Sequence, residues 1–329
     1  MAGALLPGIG PLEDVLTIIG LLYAGKVIIS VVWGTITGLR AHVWSRLWKK
    51  NLVEKYGGKW AVVTGSTDGI GKEYAKQLAK EGMNIILLSR TMDKLQKVAA
   101  EIAEESGVQT EVVQIDFSYG RRIYEIVGSH LGDKEIGILV NNVGVMLPYP
   151  MDFAYVNDKD IWGHVNVNVA TIPAMTKLVL PQMMTRGKGA IINIASIAGS
   201  GPIPLMGIYA ATKAFVDYFS QALEWECRGT GITVQTVNPG YVSTNMTSMS
   251  ELIHRPSLLI PVAKTFVSHA LSTLGYASRT CGYWIHGLQA HFLENFVTTW
   301  MFKYSMYLFN SLIIKSMKKN QEDDDSDQS

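Results

Sequence analysis

Cysteine is nearly absent from this chain of 329 residues, with Cys227 and Cys281 its whole supply. Two thiols cannot build a disulfide framework, and neither stands at metal-ligand spacing from the other or from a histidine pair. The seven histidines form no H-E-x-x-H or comparable set, so no metal is implied. Net charge is lacking too, since 29 Lys plus Arg face 28 Asp plus Glu. Without a positive field no nucleic-acid partner is expected. No repeat of fixed period occurs, and low complexity is confined to Gln321 to Ser329, whose acidic composition predicts a solvated, disordered tail.

Apolar residues are plentiful, at 48% of the chain, and much of the excess lies near the two ends. Val15 to Leu39 reads VLTIIGLLYAGKVIISVVWGTITGL, an apolar run broken by a single charge, Lys26. About 20 such residues cross a bilayer. Glu13 and Asp14 precede the run, while Arg40, Arg46, Lys49 and Lys50 follow it. That asymmetry places the following chain on the cytoplasmic side of a membrane, and the lack of a basic region ahead of the run argues against a cleaved signal peptide. Lys26 leaves open a helix that lies on a membrane or packs on a domain.

From Lys59 to about Ile285, short apolar runs alternate with amphipathic stretches, as in a parallel sheet with crossover helices. Six strands are expected: Trp60 to Thr64, Asn84 to Ser89, Glu111 to Ile115, Gly137 to Asn142, Ala190 to Ser196 and Thr233 to Asn238. The fold class is therefore α/β with a doubly wound parallel sheet, an N-terminal hydrophobic anchor helix and C-terminal apolar helices. The chain divides into an anchor with its basic flank (1–50), the α/β domain (51–286), an apolar or amphipathic extension (287–320) and the acidic tail (321–329). The extension is rich in Trp, Phe, Tyr, Leu and Met. It reads as a core helix, a cap over a cleft or a membrane-surface helix.

Directly after the first strand comes TGSTDGIG, Thr64 to Gly71, and then the amphipathic KEYAKQLAKEG. Strand, glycine-rich turn and helix form the arrangement in which backbone N–H groups hold a pyrophosphate, so Gly65, Ser66, Thr67, Asp68, Gly69, Ile70 and Gly71 are candidate cofactor contacts. An acid at the end of the second strand would bind the ribose hydroxyl of NAD, whereas a base suits the 2′-phosphate of NADP. Ser89 and Arg90 stand there, with Lys94 close behind, which favours NADP(H) over a solvated surface arginine. Further on, IYAATKAF sets Tyr209 four residues before Lys213, on one face of a helix.

These motifs, with NNVG (Asn141 to Gly144) and NPG (Asn238 to Gly240) between and after them, resemble the short-chain dehydrogenase/reductase family over about Lys59 to Ile285. TGSTDGIGKEYA, ILVNNVG, LVLPQM and SRTCGY are similar to its membrane-bound branch of 17β-hydroxysteroid dehydrogenases and very-long-chain 3-oxoacyl-CoA reductases, and NNVGVMLPYP and GYWIH to a hydroxysteroid dehydrogenase-like group within it. Vertebrate members of that group are regarded as inactive because they lack the catalytic tyrosine; this chain carries Tyr209. The resemblance implies a Rossmann-type fold and a catalytic set of Tyr209, Lys213, Ser196 and Asn168, with Asn166 the competing asparagine. It also implies that Asp116 meets the adenine, that Asn142 and Gly144 line the cofactor cleft, and that Pro239, Val242 and Thr244 lie beside the nicotinamide. Asp116 reads equally as a helix cap.

In that chemistry a hydride adds to a carbonyl carbon and an acid protonates its oxygen. Tyr209 is the acid, and the ammonium of Lys213 is expected to favour its phenolate. Lys213 also holds the ribose hydroxyls, Ser196 orients the carbonyl, and Asn168 holds a water leading from Lys213 to solvent. Gly199 to Gly207 and Ser243 to Ile253 flank the site with little charge and much Pro, Met and Leu, so the expected partner is a lipophilic ketone, a 3-oxoacyl-CoA or a ketosteroid. The rival expectation is a catalytically silent nucleotide-binding protein that works through partners. A homo-oligomer is compatible with either. The flanks place the anchor in the endoplasmic reticulum membrane with a cytosolic domain, and they tolerate a mitochondrial address.

Overall fold

The structure, a computed structural model, describes residues 10–47, 51–132 and 134–327. Lys49 and Lys50 of the basic flank, and the last two residues of the acidic tail, lie outside the described residues.

A single parallel sheet carries strands β1 (Trp60–Thr64), β2 (Asn84–Ser89), β3 (Thr110–Gln114), β4 (Ile136–Asn141), β5 (Gly189–Ile194), β6 (Ile232–Val237) and β7 (Arg279–Thr280). Their order is β3-β2-β1-β4-β5-β6-β7. The six expected strands are present within a residue or two at their ends. β7 is an addition, a two-residue edge strand too short to leave a hydropathy pattern.

Near-continuous apolar strands fit because both faces of the sheet are covered. Helices α2 (Gly69–Lys80), α3 (Met92–Ser106) and α7 (Ala263–Ser272) lie on one face, against Ala61, Val63, Ile85 and Leu87. On the other lie α4 (Ile123–Leu131), α5 (Thr171–Arg186) and α6 (Gly207–Glu226), against Val62, Ile86, Leu88 and Leu139. Neighbours along one strand thus enter opposite cores, which fixes register because a slip of one residue would exchange them. β1 pairs with β2 on one side and β4 on the other, so chain order reverses there and a crevice opens at the strands' C-terminal ends.

Outside this body, α1 (Gly10–Leu39) is exposed, and Leu12–Leu47 is long and apolar enough to cross a membrane. α8 (Trp284–Phe296) and α9 (Thr299–Asp327) form the C-terminal extension. The expected boundary at 286/287 falls within the first turn of α8, where His286 is fully buried against the α/β domain. The expected disordered tail is also revised: residues to Asp327 continue α9, since extending an existing helix requires no new nucleus.

Candidate active site

The turn after β1 depends on close backbone approaches. Gly65 has φ of +64°, and a Cβ on it would stand 2.9 Å from the Cα of Val143. A Cβ on Gly71 would collide with the Asn142 amide and the Gly65 carbonyl. Only glycine lets β1 and β4 deliver their loops this closely. Asn142 then ties the loops together, donating to the carbonyls of Thr64 at 3.0 Å and Gly65 at 3.1 Å. Thr64 Oγ1 answers by accepting from the backbone N–H groups of Asn142 and Val143.

Asp68 caps α2, accepting from Gly69 N at 2.7 Å, and its other oxygen accepts from the Asn245 amide. Ser66 is buried and reaches back to Leu88 O, so it supports the turn from behind. Thr67 and Ser89 share a hydroxyl hydrogen bond of 3.0 Å. Arg90 is exposed and lines the cavity above this turn. Lys94 does not: it lies exposed on α3, outside the lining, because the helix's first turn carries it outward. Asp116 lines the cavity while one of its oxygens caps a short turn by accepting from Ser118 N at 2.9 Å, as the cap expectation had it.

At the ends of β5 and β6 the second half of the site assembles. Ser196 Oγ accepts from Ala198 N and donates to Pro239 O at 3.3 Å. Its hydroxyl and the Tyr209 hydroxyl line the same wall of the cavity. Tyr209 and Lys213 project together from α6, with the Lys213 ammonium 5.7 Å from the Tyr209 ring centre and donating to Ile194 O at 3.0 Å. Gly199 permits this packing, since a Cβ there would press on the Lys213 backbone at 2.7 Å.

The electrostatics differ from the expected pairing. Burial pushes the Tyr209 hydroxyl up to about 12, against the smaller opposing effect of the nearby Ser196 hydroxyl. Burial likewise brings Lys213 down to about 8. Desolvation here outweighs the help that Lys213 was expected to give the phenolate.

Asn168, not Asn166, faces this group. Its segment, His164–Ala170, is a π-turn within the helix that leads into α5, and such turns re-aim side chains. Asn168 Oδ1 accepts from Val145 N at 2.7 Å, and Nδ2 donates to Val145 O and Thr212 Oγ1. Both ends of the amide are thus engaged, and the side chain pins the loop after β4 to α6. Asn166 instead donates to Ser118 O.

The elements enclose a cavity of about 1080 Å³. Gly65, Thr67, Asp68, Gly69, Ile70, Asn142 and Gly144 line one end, and Ser196, Tyr209, Lys213, Pro239, Val242 and Thr244 line its middle. The far end is roofed by Leu293, Phe302, Met306 and Phe309 from α8 and α9, opposite Ile203 and Met206. Of the readings open for the extension, a cap over the cleft describes this part of it.

Sequence reasoning offered a cap as one reading of the extension without naming the roof's residues, and it missed two supports. Asp217 is buried, accepts from Arg279 Nε and from the Asn238 amide, and so joins β7 to the NPG turn. His286 accepts from Gly240 N at 3.2 Å through Nδ1, leaving Nε2–H to donate to Leu259 O at 3.1 Å. The motif GYWIH contained that histidine, but nothing local announces its distant partners.

A family model described as short chain dehydrogenase matches residues 59–252. The chain belongs to that family. It is 42% identical to the human inactive hydroxysteroid dehydrogenase-like protein 1 over 92% of this chain and 91% of that one. It is 47% identical to the very-long-chain 3-oxoacyl-CoA reductase of Bos taurus over 80% of this chain and 83% of that one. Among solved structures, a short-chain dehydrogenase from Sphingobium yanoikuyae in complex with NADPH superposes with a TM-score of 0.59 at 33% identity, covering 64% of this chain and 82% of that one. The doubly wound sheet and the crevice at its switch point are therefore those of the short-chain dehydrogenase family.

Proposed function

We propose that this protein is an NADPH-dependent reductase acting on the keto group of a lipophilic substrate, a 3-oxoacyl-CoA or a ketosteroid. The single observation that carries the proposal is that Ser196, Tyr209 and buried Lys213 meet on one wall of a cavity whose far end is apolar. The names of the relatives and of the NADPH complex support it.

The residues present fit the cofactor. Gly65 and Gly71 let the turn after β1 pack tightly on Asn142 and Val143, Gly69 and Ile70 bring the start of α2 to the cavity, and the exposed Arg90 lines the same cavity. Arg90 and Thr67 would hold the phosphate groups, Asp116 the adenine, and Lys213 the ribose beside the reacting centre. When bound, the cofactor supplies the hydride.

Every other step belongs to the chain. Ser196 donates to the substrate carbonyl and fixes its direction, exchanging its bond to Pro239 O for one to substrate. Tyr209 gives its proton to the oxygen as negative charge builds there. The Lys213 ammonium then faces the phenolate left behind, and Asn168 keeps the loop after β4 in place beneath it. Leu293, Phe302, Met306 and Phe309 exclude water and hold the apolar body of the substrate.

Long-chain 3-oxoacyl-CoAs and ketosteroids, supplied with NADPH to the purified full chain, should be reduced in preference to small hydrophilic ketones. Turnover of hydrophilic carbonyls alone would refute the lipophilic reading. A second reading, a catalytically silent binding protein, is favoured by the word inactive in the name of a relative matched over 92% of this chain. NADPH binding with no turnover on any ketone, unchanged by Tyr209→Phe, would establish it. For location we propose an endoplasmic reticulum anchor with a cytosolic domain, supported by Arg40 and Arg46 after the apolar helix. Protease protection of a lumenal domain, or residence in mitochondria, would overturn it.

A further inference from the structure

Part of the cavity's lining is both apolar and exposed. Met246, Leu252 and Leu259 from the loops after β6, and Phe292 from α8, line the cavity and are themselves 40%, 56%, 54% and 58% exposed. A rim of this composition in water would be costly, since each such side chain gains by leaving water.

Phe292 belongs to a stripe. Trp284, Leu288, Phe292 and Phe296 recur every fourth residue along α8, so they share one helix face, and each is between 44% and 61% exposed. The adjoining face of the same helix meets the N-terminal anchor. Ser30 donates to Asn295 at 3.3 Å, and Gly34 lies against His291, where a Cβ would stand 3.5 Å from the ring.

That contact sets a height. The apolar helical stretch Leu12–Leu47 is 36 residues long, whereas a hydrocarbon core takes about 20 at 1.5 Å each. For a span that begins at Leu12, about 20 residues end near Val31, and Ser30 and Gly34 then stand where the anchor leaves the hydrocarbon. α8 therefore packs on the anchor at the level of the headgroups, with its apolar stripe and the cavity rim at that same level. α9 continues the surface with Trp300 and Tyr304 exposed. From Thr299 to Asn320 its only charges are basic, Lys303, Lys315, Lys318 and Lys319, which suits an anionic leaflet.

We propose that α8 and the first turns of α9 lie in the headgroup and acyl boundary of the membrane that holds the anchor, so that the rim opens into lipid and an apolar substrate reaches Tyr209 directly from the bilayer. The occupant of the stripe is lipid, because the anchor in contact with α8 carries the same bilayer to it. The proposal deepens the lipophilic-substrate reading and rests on it only for the identity of what passes through.

Its test requires no turnover, and so is separable from that reading. The full chain with Cys281→Ser, which leaves only the buried Cys227, would carry an environment-sensitive fluorophore at Leu288→Cys or, separately, Phe296→Cys, with Lys97→Cys on α3 as the exposed control. After reconstitution into phosphatidylcholine and phosphatidylserine vesicles, labels at 288 and 296 should shift to the blue and lose most of their emission to lipids bearing a shallow quencher, while aqueous iodide spares them. The label at 97 should show the reverse. Iodide quenching at 288 and 296 equal to that at 97 would overturn the proposal. Protection from both quenchers would overturn it as well, since a second copy of the chain would then cover the stripe.

Discussion

At the cofactor end of the cavity, Gly65, Thr64 and Asn142 are locked by short hydrogen bonds and by backbone approaches that tolerate no side chain. At the substrate end, Phe302 lies on Gly201 and buries itself among Ile203 and Ala210, while Phe309 meets Tyr241 with ring centres 6.1 Å apart. The first end is specified atom by atom, the second by volume and apolarity. A cradle for phosphate must place particular donors, so few sequences build it. A pocket for an apolar body need only exclude water, so many sequences can, and its shape is set by packing between distant segments.

The largest effect expected from this contrast is at the seam between the ends. Tyr209→Phe removes one hydroxyl and leaves the ring's packing, so kcat/KM for ketone reduction should fall by about 10²- to 10⁴-fold. The Kd for NADPH, measured by direct binding, should stay nearly unchanged. Parallel loss of binding would mean that the two ends are not separable.

Next in size is a change confined to the polar end. Arg90→Glu should weaken NADPH by about 10- to 100-fold, the usual worth of a charge-assisted hydrogen bond, while altering NADH little. Equal weakening of both would place the 2′-phosphate elsewhere, and Lys94, exposed on α3, would be the next residue to test.

The same contrast explains what could be read from the sequence. β1 through β6 are visible because apolar strands buried on both faces leave unbroken runs such as NIILLS. β7 is not, since two residues carry no pattern. TGSTDGIG and YAATK announce themselves because each demands residue types at fixed spacing. The roof does not: Phe302 and Phe309 are ordinary members of an aromatic-rich helix until α9 folds back over Ile203. Lys94 is exposed on α3 and Arg90 lines the cavity, because helix phase as well as nearness in sequence decides where a side chain points. What the sequence could not show is the hold of the Asn168 amide on Val145, a partner 23 residues away on another loop.

A smaller effect should follow Phe309→Ala at the apolar end. Half-buried and outside the main core, Phe309 can be shortened without opening a large void in the fold. KM for a long-chain or steroidal ketone should rise about 3- to 10-fold, as expected when part of an apolar contact of roughly 1 kcal/mol is lost. NADPH affinity should not change. A fall in kcat with KM unaltered would instead place Phe309 near the reacting atoms.

The smallest effect is the pH dependence, where the two ends meet in Lys213. Its folded value of about 8 lies below the ordinary 10.5, so the ammonium is present below about 8 and is lost as pH rises through it. Tyr209, at about 12, keeps its proton throughout that window. For reduction the proton donor is thus always available, and what disappears with rising pH is the cation that faces the new phenolate. kcat/KM for the ketone, which reports the free enzyme, should be level at neutral pH and fall about twofold near pH 8. Oxidation of the corresponding alcohol needs the phenolate and should rise with pH below about 8. A descending limb near 10 instead would show that Lys213 retains its charge despite burial, and that the cleft is wetter than its enclosure by α6, β4 and β5 suggests.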